Sequence, residues 1–199
     1  MPGIDILTRS HVFLLEAIDG LLQDEPELAD AIEVHLAGVL SPTDREIAER
    51  SPVVRMHGYL DHSETLRLLR TADLLFLPMH DMPEGHRIGI TPGKTYEYVA
   101  SGRPILAAVP DGDVRELLQE AGTAFICRPA DVAAMRRIVR EQVERVRSGA
   151  PAPALDEAVA ARYERRHLTG LLAGVFDELA GAPAVSTSAV RREPVRATR

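Results

Sequence analysis

The sequence predicts a Rossmann-like three-layer α/β/α fold with a parallel sheet of about six strands, and three observations predict it. Short apolar segments alternate with amphipathic ones along the chain, the order of repeated strand–helix–strand units. Several of the short segments are apolar almost throughout, as in strands covered on both faces. The 199 residues are 45% hydrophobic and 27% charged, which suits one soluble domain able to bury a core.

Taken in order, Ile4–Leu7 is a candidate short first strand and Ser10–Gln23 a helix, with Leu14, Ile18, Leu21 and Leu22 on one face. Strands follow at Ile32–Gly38 and Val53–Tyr59. Ser63–Thr71 is helical through Leu66 and Leu69, with Leu68 on its flank, and leads to a strand at Asp73–Pro78. Ile105–Val109 and Thr123–Arg128 are the remaining strands. Between them, Asp113–Ala121 opens as a helix, with Asp113 as N-cap and Glu116 closing a capping box. Ala130–Arg147 is an amphipathic helix whose arginines and glutamates form a solvated face. After the Gly149–Pro153 break, Leu155–Leu179 continues as one long helix. The expected organisation is one domain over 3–180 and a disordered tail over 181–199, rich in Ala, Pro, Ser, Thr and Arg.

Charge and cysteine content exclude several functions. The 23 Lys+Arg against 30 Asp+Glu give a net charge of −7, with 4% aromatics and no Trp, which argues against nucleic-acid binding. The single Cys127 excludes an internal disulfide and a thiolate zinc cluster, and suits a reducing cytoplasm. No apolar run approaches the ~20 residues that span a bilayer. Asp5 precedes any apolar run, unlike a signal peptide. Four arginines in the tail (Arg191, Arg192, Arg196, Arg199) give only a weak pull toward an anionic membrane surface.

In an open parallel sheet, ligands bind beyond the carboxyl ends of the strands. The connections to inspect are therefore those leading from strand to helix. One is long: Met79–Pro92, MHDMPEGHRIGITP, where roughly 2–6 residues are usual. It opens a helix at Thr91-Pro92-Gly93-Lys94-Thr95-Tyr96-Glu97. Thr91 suits the N-cap and Pro92 the first turn. Gly93 leaves room for a ligand, and the amides of Gly93, Lys94 and Thr95 sit at the positive end of the helix dipole, a place for phosphate. Lys94 adds a full charge, and Glu97, one turn on, can accept bonds from two vicinal hydroxyls. An ordinary surface ion pair on a well-capped helix is the plainer alternative.

The stretch GKTYEYVASGRPILA (Gly93–Ala107), preceded by HGYLDHSETLRLLRTAD (His57–Asp73) and ADLLFLP (Ala72–Pro78), resembles the C-terminal, donor-binding domain of GT-B fold glycosyltransferases. The nearest type is group 1, or family 4, which builds bacterial polysaccharides and glycolipids. The resemblance runs from about Gly3 to Leu179. It implies a nucleotide-diphosphate sugar as donor substrate, a saccharide or lipid acceptor, transfer of a hexose, and no metal or other cofactor. By the same resemblance Glu97 holds the ribose, Gly93–Thr95 cradle the diphosphate, Arg9 meets the phosphates, and Tyr59 and Leu60 touch the base. The family's second glutamate, facing the transferred sugar, falls here on Gly89. Whether Glu84, in the same loop, or Lys94 takes its catalytic place stays open. The family's N-terminal acceptor domain has no counterpart in the chain. In intact relatives the last helix reaches back to that domain, which implies exposed apolar surface over Leu168–Leu179. A nucleotide-sugar epimerase of the same fold and a non-catalytic interaction domain are the rival readings.

Other candidates have plainer explanations. Asp111-Gly112-Asp113 looks like a metal-binding DxD, yet Gly suits a turn and Asp a cap at a strand–helix junction. His57, His62, His80 and His86 lack the spacing of metal ligands. Cys127 lies mid-strand among apolar residues and is expected in the core.

Overall fold

The computed structural model describes residues 9–181. The predicted strand at Ile4–Leu7, and all of the predicted tail beyond Gly181 with its four arginines, lie outside the described residues. Helix α1 (Val12–Asp24) is followed by a 3-10 turn (Pro26–Ala31), strand β1 (Val34–Ala37), α2 (Pro42–Arg50), β2 (Val54–Gly58) and α3 (His62–Thr71). Then come β3 (Leu75–Pro78), α4 (Gly93–Ser101), β4 (Ile105–Ala108), α5 (Asp113–Ala121), β5 (Ala124–Cys127), α6 (Val132–Arg147), α7 (Glu157–Arg162) and α8 (Arg165–Ala180).

All strand pairs are parallel, as the repeated crossovers require. The described strands number five rather than about six. They form a pair, β1-β2, and a three-stranded sheet in the order β3-β4-β5. β1 and β2 exchange their bonds with each other, with an irregularity between Leu36 and Ala37.

β4 is buried at every residue and flanked on both sides. Its side chains alternate between two cores. Leu106 and Ala108 face a cluster with Leu14, Ile18 and Leu21 of α1 and Met135 and Ile138 of α6. Ile105 and Ala107 face Leu77, Val99 of α4, and Val114, Leu117 and Leu118 of α5. One helix layer therefore covers each face, and the three-layer α/β/α class stands. Cys127 is in the first of these cores, and burial pushes its thiol up to about 12, so it is no nucleophile at neutral pH.

Two helix starts differ from expectation for physical reasons. α3 begins one residue earlier, on a complete capping box between Asp61 and Glu64. At α5, Asp113 is not the cap. Gly112 occupies that position at φ 143° and ψ −168°, and no side chain caps the helix. The cause is Ile88, which crosses here: its amide donates to the Asp111 carbonyl (3.0 Å), and its carbonyl accepts from the Asp113 amide (3.1 Å). A Cβ on Gly112 would overlap the Ile88 backbone. The Asp-Gly-Asp run is thus a crossing point, as its turn chemistry suggests.

The segment expected as one helix over 155–179 is two. It breaks at Tyr163 and Glu164, where Tyr163 stacks on Tyr96 of α4 with ring centroids 5.1 Å apart. α8 buries none of its residues and exposes Leu168, Leu171, Leu172, Val175, Phe176 and Leu179.

Gly112→Ala should lower stability by about 3 kcal/mol, since the backbone conformation is essentially glycine's alone and the crossing strand cannot yield. Gly93→Ala, whose Cβ meets nothing within 4 Å, should change stability by less than ~0.5 kcal/mol. Urea unfolding of the two variants checks the contrast.

Candidate functional site

Because β3, β4 and β5 pair in parallel, the strand-to-helix connections of that sheet emerge at one edge, which carries the 79–92 loop and the α4 start. α4 starts one residue later than expected, with Pro92 at the N-cap position and Gly93 first in the helix. Thr91 makes no capping bond; the residue before a proline is held extended, out of capping geometry. The amides of Gly93 and Lys94 have no partner among the described residues, whereas that of Thr95 donates to the Pro92 carbonyl at 2.9 Å. So two of the three expected amides are open at the positive end of the helix. The Thr95 side chain adds something unforeseen: it is fully buried, and its Oγ1 has no hydrogen-bond partner among the described residues. Such a group is costly to leave unpaired.

Lys94 is half-buried. Burial holds its ammonium below the ordinary lysine range, and the charge of Arg9 lowers it further. The structure therefore brings Arg9 and Lys94, 85 positions apart in sequence, into electrostatic contact. Lys94 thus stands in the first turn of α4 within electrostatic range of a second cation. Glu97 is exposed on the next turn, beside Tyr98, whose phenol is raised first by burial and then by that carboxylate. Tyr59 is 83% exposed in the turn after β2, with Leu60 half-buried beside it.

The long loop is fastened, not free. At its root the Arg128 guanidinium, just past β5, donates to Asp81 Oδ1 (2.6 Å) and to the Met82 carbonyl (2.7 Å). Further on, Ile88 is held across Gly112, and Arg87 pairs with Glu116 at 2.7 Å and more distantly with Asp113. Between the two fastenings Glu84 is exposed at the tip, its carbonyl facing His86 Nδ1 at 3.4 Å. His80 Nδ1 is buried at the loop's start without a partner among the described residues. Sequence reasoning missed Arg128, the Thr95 hydroxyl and this role of Asp81. The position of Arg128, immediately after a strand at the ligand edge, was the available signal. It also missed His35, whose Nδ1 lies 2.8 Å from Nε2 of His57 across β1 and β2. No group of three or more His, Cys, Asp or Glu suited to a metal occurs among the described residues.

Fold and ligand edge together define an α/β domain of the Rossmann type with an anion-suited helix start. The chain belongs to the glycosyl transferases group 1 family, which matches residues 7–145. It is 34% identical over 108 residues to glycogen synthases from two Mycobacterium tuberculosis strains, CDC 1551 / Oshkosh and H37Rv. That match covers 54% of this chain and 23% of each synthase, so the chain corresponds to under a quarter of the curated relatives' length. In fold it resembles a crystal structure assigned to a UDP-N-acetylglucosamine 2-epimerase from Listeria monocytogenes, with a TM-score of 0.56 and 18% identity. That likeness covers 90% of this chain and 43% of the other.

The lowered Lys94 pKa gives a prediction with a definite sign. A buried ammonium penalises the folded state while it stays charged. The unfolded chain holds that proton up to about 10.5, so the contribution of Lys94 to stability should rise with pH between the lowered folded pKa and about 10.5, against the opposite pull of the Cys127 thiol, which the fold keeps protonated from 9.0 to about 12. Lys94→Met should abolish that rise and stabilise the protein at neutral pH by about 1 kcal/mol, as functional sites commonly trade stability for chemistry. Unfolding midpoints from pH 7 to 10.5 test it.

Proposed function

We propose that this chain forms the donor-binding half of a glycosyltransferase that moves a hexose from a nucleoside-diphosphate sugar to an acceptor, with a saccharide favoured over a lipid by the similarity to glycogen synthases. The observation that carries the reading is the start of α4: two open amides, a buried unpaired Thr95 hydroxyl, and Lys94 held half-buried beside Arg9. A diphosphate answers each of these at once. Its oxygens accept from the amides and the hydroxyl, and its charge offsets the two cations. Glu97, one turn along, is placed to accept from the ribose hydroxyls, and the Tyr59–Leu60 turn offers an apolar contact for the base.

Rate follows from the same charges. As the glycosidic bond to the donor breaks, negative charge grows on the departing diphosphate, and Lys94, Arg9 and the helix N-terminus stabilise it more than they do the intact donor. Of the two carboxylates in the loop, Asp81 is engaged by Arg128, and exposed Glu84 is our candidate to meet the sugar, with Lys94 the alternative for that catalytic place. The chemistry needs no metal. The acceptor domain comes from chain beyond this domain, and the exposed apolar face of α8 is the surface it covers. The single Cys127 suits a reducing cytoplasm, where we propose the reaction takes place; among the described residues no helix is long and apolar enough to cross a membrane.

Calorimetric titration with UDP, GDP, ADP and dTDP tests the reading. One nucleotide should bind, equally in EDTA, and Glu97→Ala and Lys94→Ala should each weaken it by roughly 10–100-fold, as expected for charge-assisted hydrogen bonds of about 1.5–3 kcal/mol. Binding indifferent to both substitutions would sink it.

A further inference from the structure

The two fastenings of the 79–92 loop divide it into parts with separate supports. Downstream, Ile88 is bonded in both directions across Gly112, and Arg87 is paired with Glu116. These contacts anchor the stretch that runs through Gly89–Pro92 into the α4 start. Upstream, the Met79 amide donates to the Ala108 carbonyl of β4 at 2.9 Å, and beyond it the Arg128 guanidinium reaches both the Asp81 carboxylate and the Met82 carbonyl. Asp81 in turn accepts from the Met82 amide at 2.9 Å, so the Arg128 tie fixes a tight two-residue corner. Residues 83–87, Glu84 among them, run from that corner to the Ile88 crossing, and residues 80–82 carry the corner itself.

An arginine is suited to this work. One terminal nitrogen, Nη2, carries two N–H donors and serves the carboxylate and the carbonyl together, and the guanidinium stays charged at every physiological pH. The pair is about one-third exposed, with side-chain values of 37% for Arg128 and 28% for Asp81. It is thus partly shielded from the solvent that weakens surface ion pairs. Arg128 itself leaves β5 directly from the sheet, so the corner is referenced to the most rigid part of the fold.

We propose that Arg128 is a positioning residue that sets, through Asp81 and the Met82 carbonyl, where residues 80–87 meet the sugar of the donor, while leaving the nucleotide to the α4 start. The proposal rests on the donor reading above. It predicts a division that a merely structural role does not produce. Loosening Arg128 frees the upstream part only, because the Ile88 crossing still holds Gly89–Thr95 in place. Affinity for the nucleoside diphosphate should then persist, and the increment contributed by the sugar should vanish.

The experiment uses the full chain as wild type, Arg128→Met and Arg128→Lys. Kd is measured for UDP, ADP, GDP and dTDP, and for UDP-glucose, ADP-glucose, GDP-mannose and dTDP-glucose. In parallel, cleavage after Glu84 by a glutamate-specific protease is timed. Arg128→Met should be cut about tenfold faster than wild type, bind the diphosphate within twofold of wild type, and lose the advantage of the sugar-bearing nucleotide over the bare one. Arg128→Lys, which keeps the charge for Asp81, should restore both the cleavage rate and the sugar advantage to within threefold. Equal loss of affinity for bare and sugar-bearing nucleotides overturns the proposal, as do an unchanged cleavage rate and an unchanged affinity ratio in Arg128→Met. If wild type binds no nucleoside diphosphate, the donor reading fails and the sugar role falls with it, while the cleavage rates still decide whether Arg128 holds the loop.

Discussion

Strand β4 is the constraint on which the described structure hangs. Its four residues are all buried and its two edges are both paired, so it has no freedom of register or of face. Alternate side chains feed two different cores, one shared with α1 and α6, the other with α4 and α5. Parallel pairing then forces the connections of β3 and β5 out at the same edge as its own. Arg128 becomes a neighbour of the long loop that opens α4 for that reason, although the two are distant in sequence. The functional edge is a consequence of topology before any side chain is considered.

On that edge the protein places groups that are unfavourable in isolation. Lys94 is partly stripped of water and set near a second cation. Thr95 keeps a buried hydroxyl without a partner among the described residues, and His80 a ring nitrogen in the same condition. Each costs stability, as do the Ser51 and Thr123 hydroxyls, which are buried without a partner elsewhere among the described residues. The neighbouring fastenings do the opposite. Arg128, the Ile88 crossing and the Arg87 pairs hold backbone in place with satisfied bonds. A rigid frame around unsatisfied polar atoms is how a site is preorganised for a ligand that will satisfy them.

How much of this the sequence discloses depends on the range of the interaction. The strands at Asp73–Pro78, Ile105–Val109 and Thr123–Arg128 were readable because continuous apolar runs report burial on both faces. The α4 start was readable from Pro92-Gly93-Lys94 to within one residue, since its chemistry is local. The rest turned on contacts between distant positions. Nothing near Asp113 announces that Ile88 will pass over Gly112 and displace the expected cap. The charge of Arg9 on Lys94 acts across 85 positions. The break at Tyr163–Glu164 has no Pro or Gly to mark it; it follows from Tyr163 packing on Tyr96. The Asp61–Glu64 capping box, by contrast, is local and was legible in principle.

That tyrosine contact ties the end of the described chain to its functional edge. α8 leaves the domain at the residue that packs on α4, one position before Glu97 in the site helix. α8 itself is poorly suited to standing alone. It buries none of its residues, exposes six large apolar side chains, and begins with Arg165 and Arg166 where the helix dipole favours acids, while Asp177 and Glu178 lie near its end. A helix so composed gains its stability from what covers it. The face it exposes is joined, through Tyr163 packed on Tyr96, to the helix that carries Lys94 and Glu97.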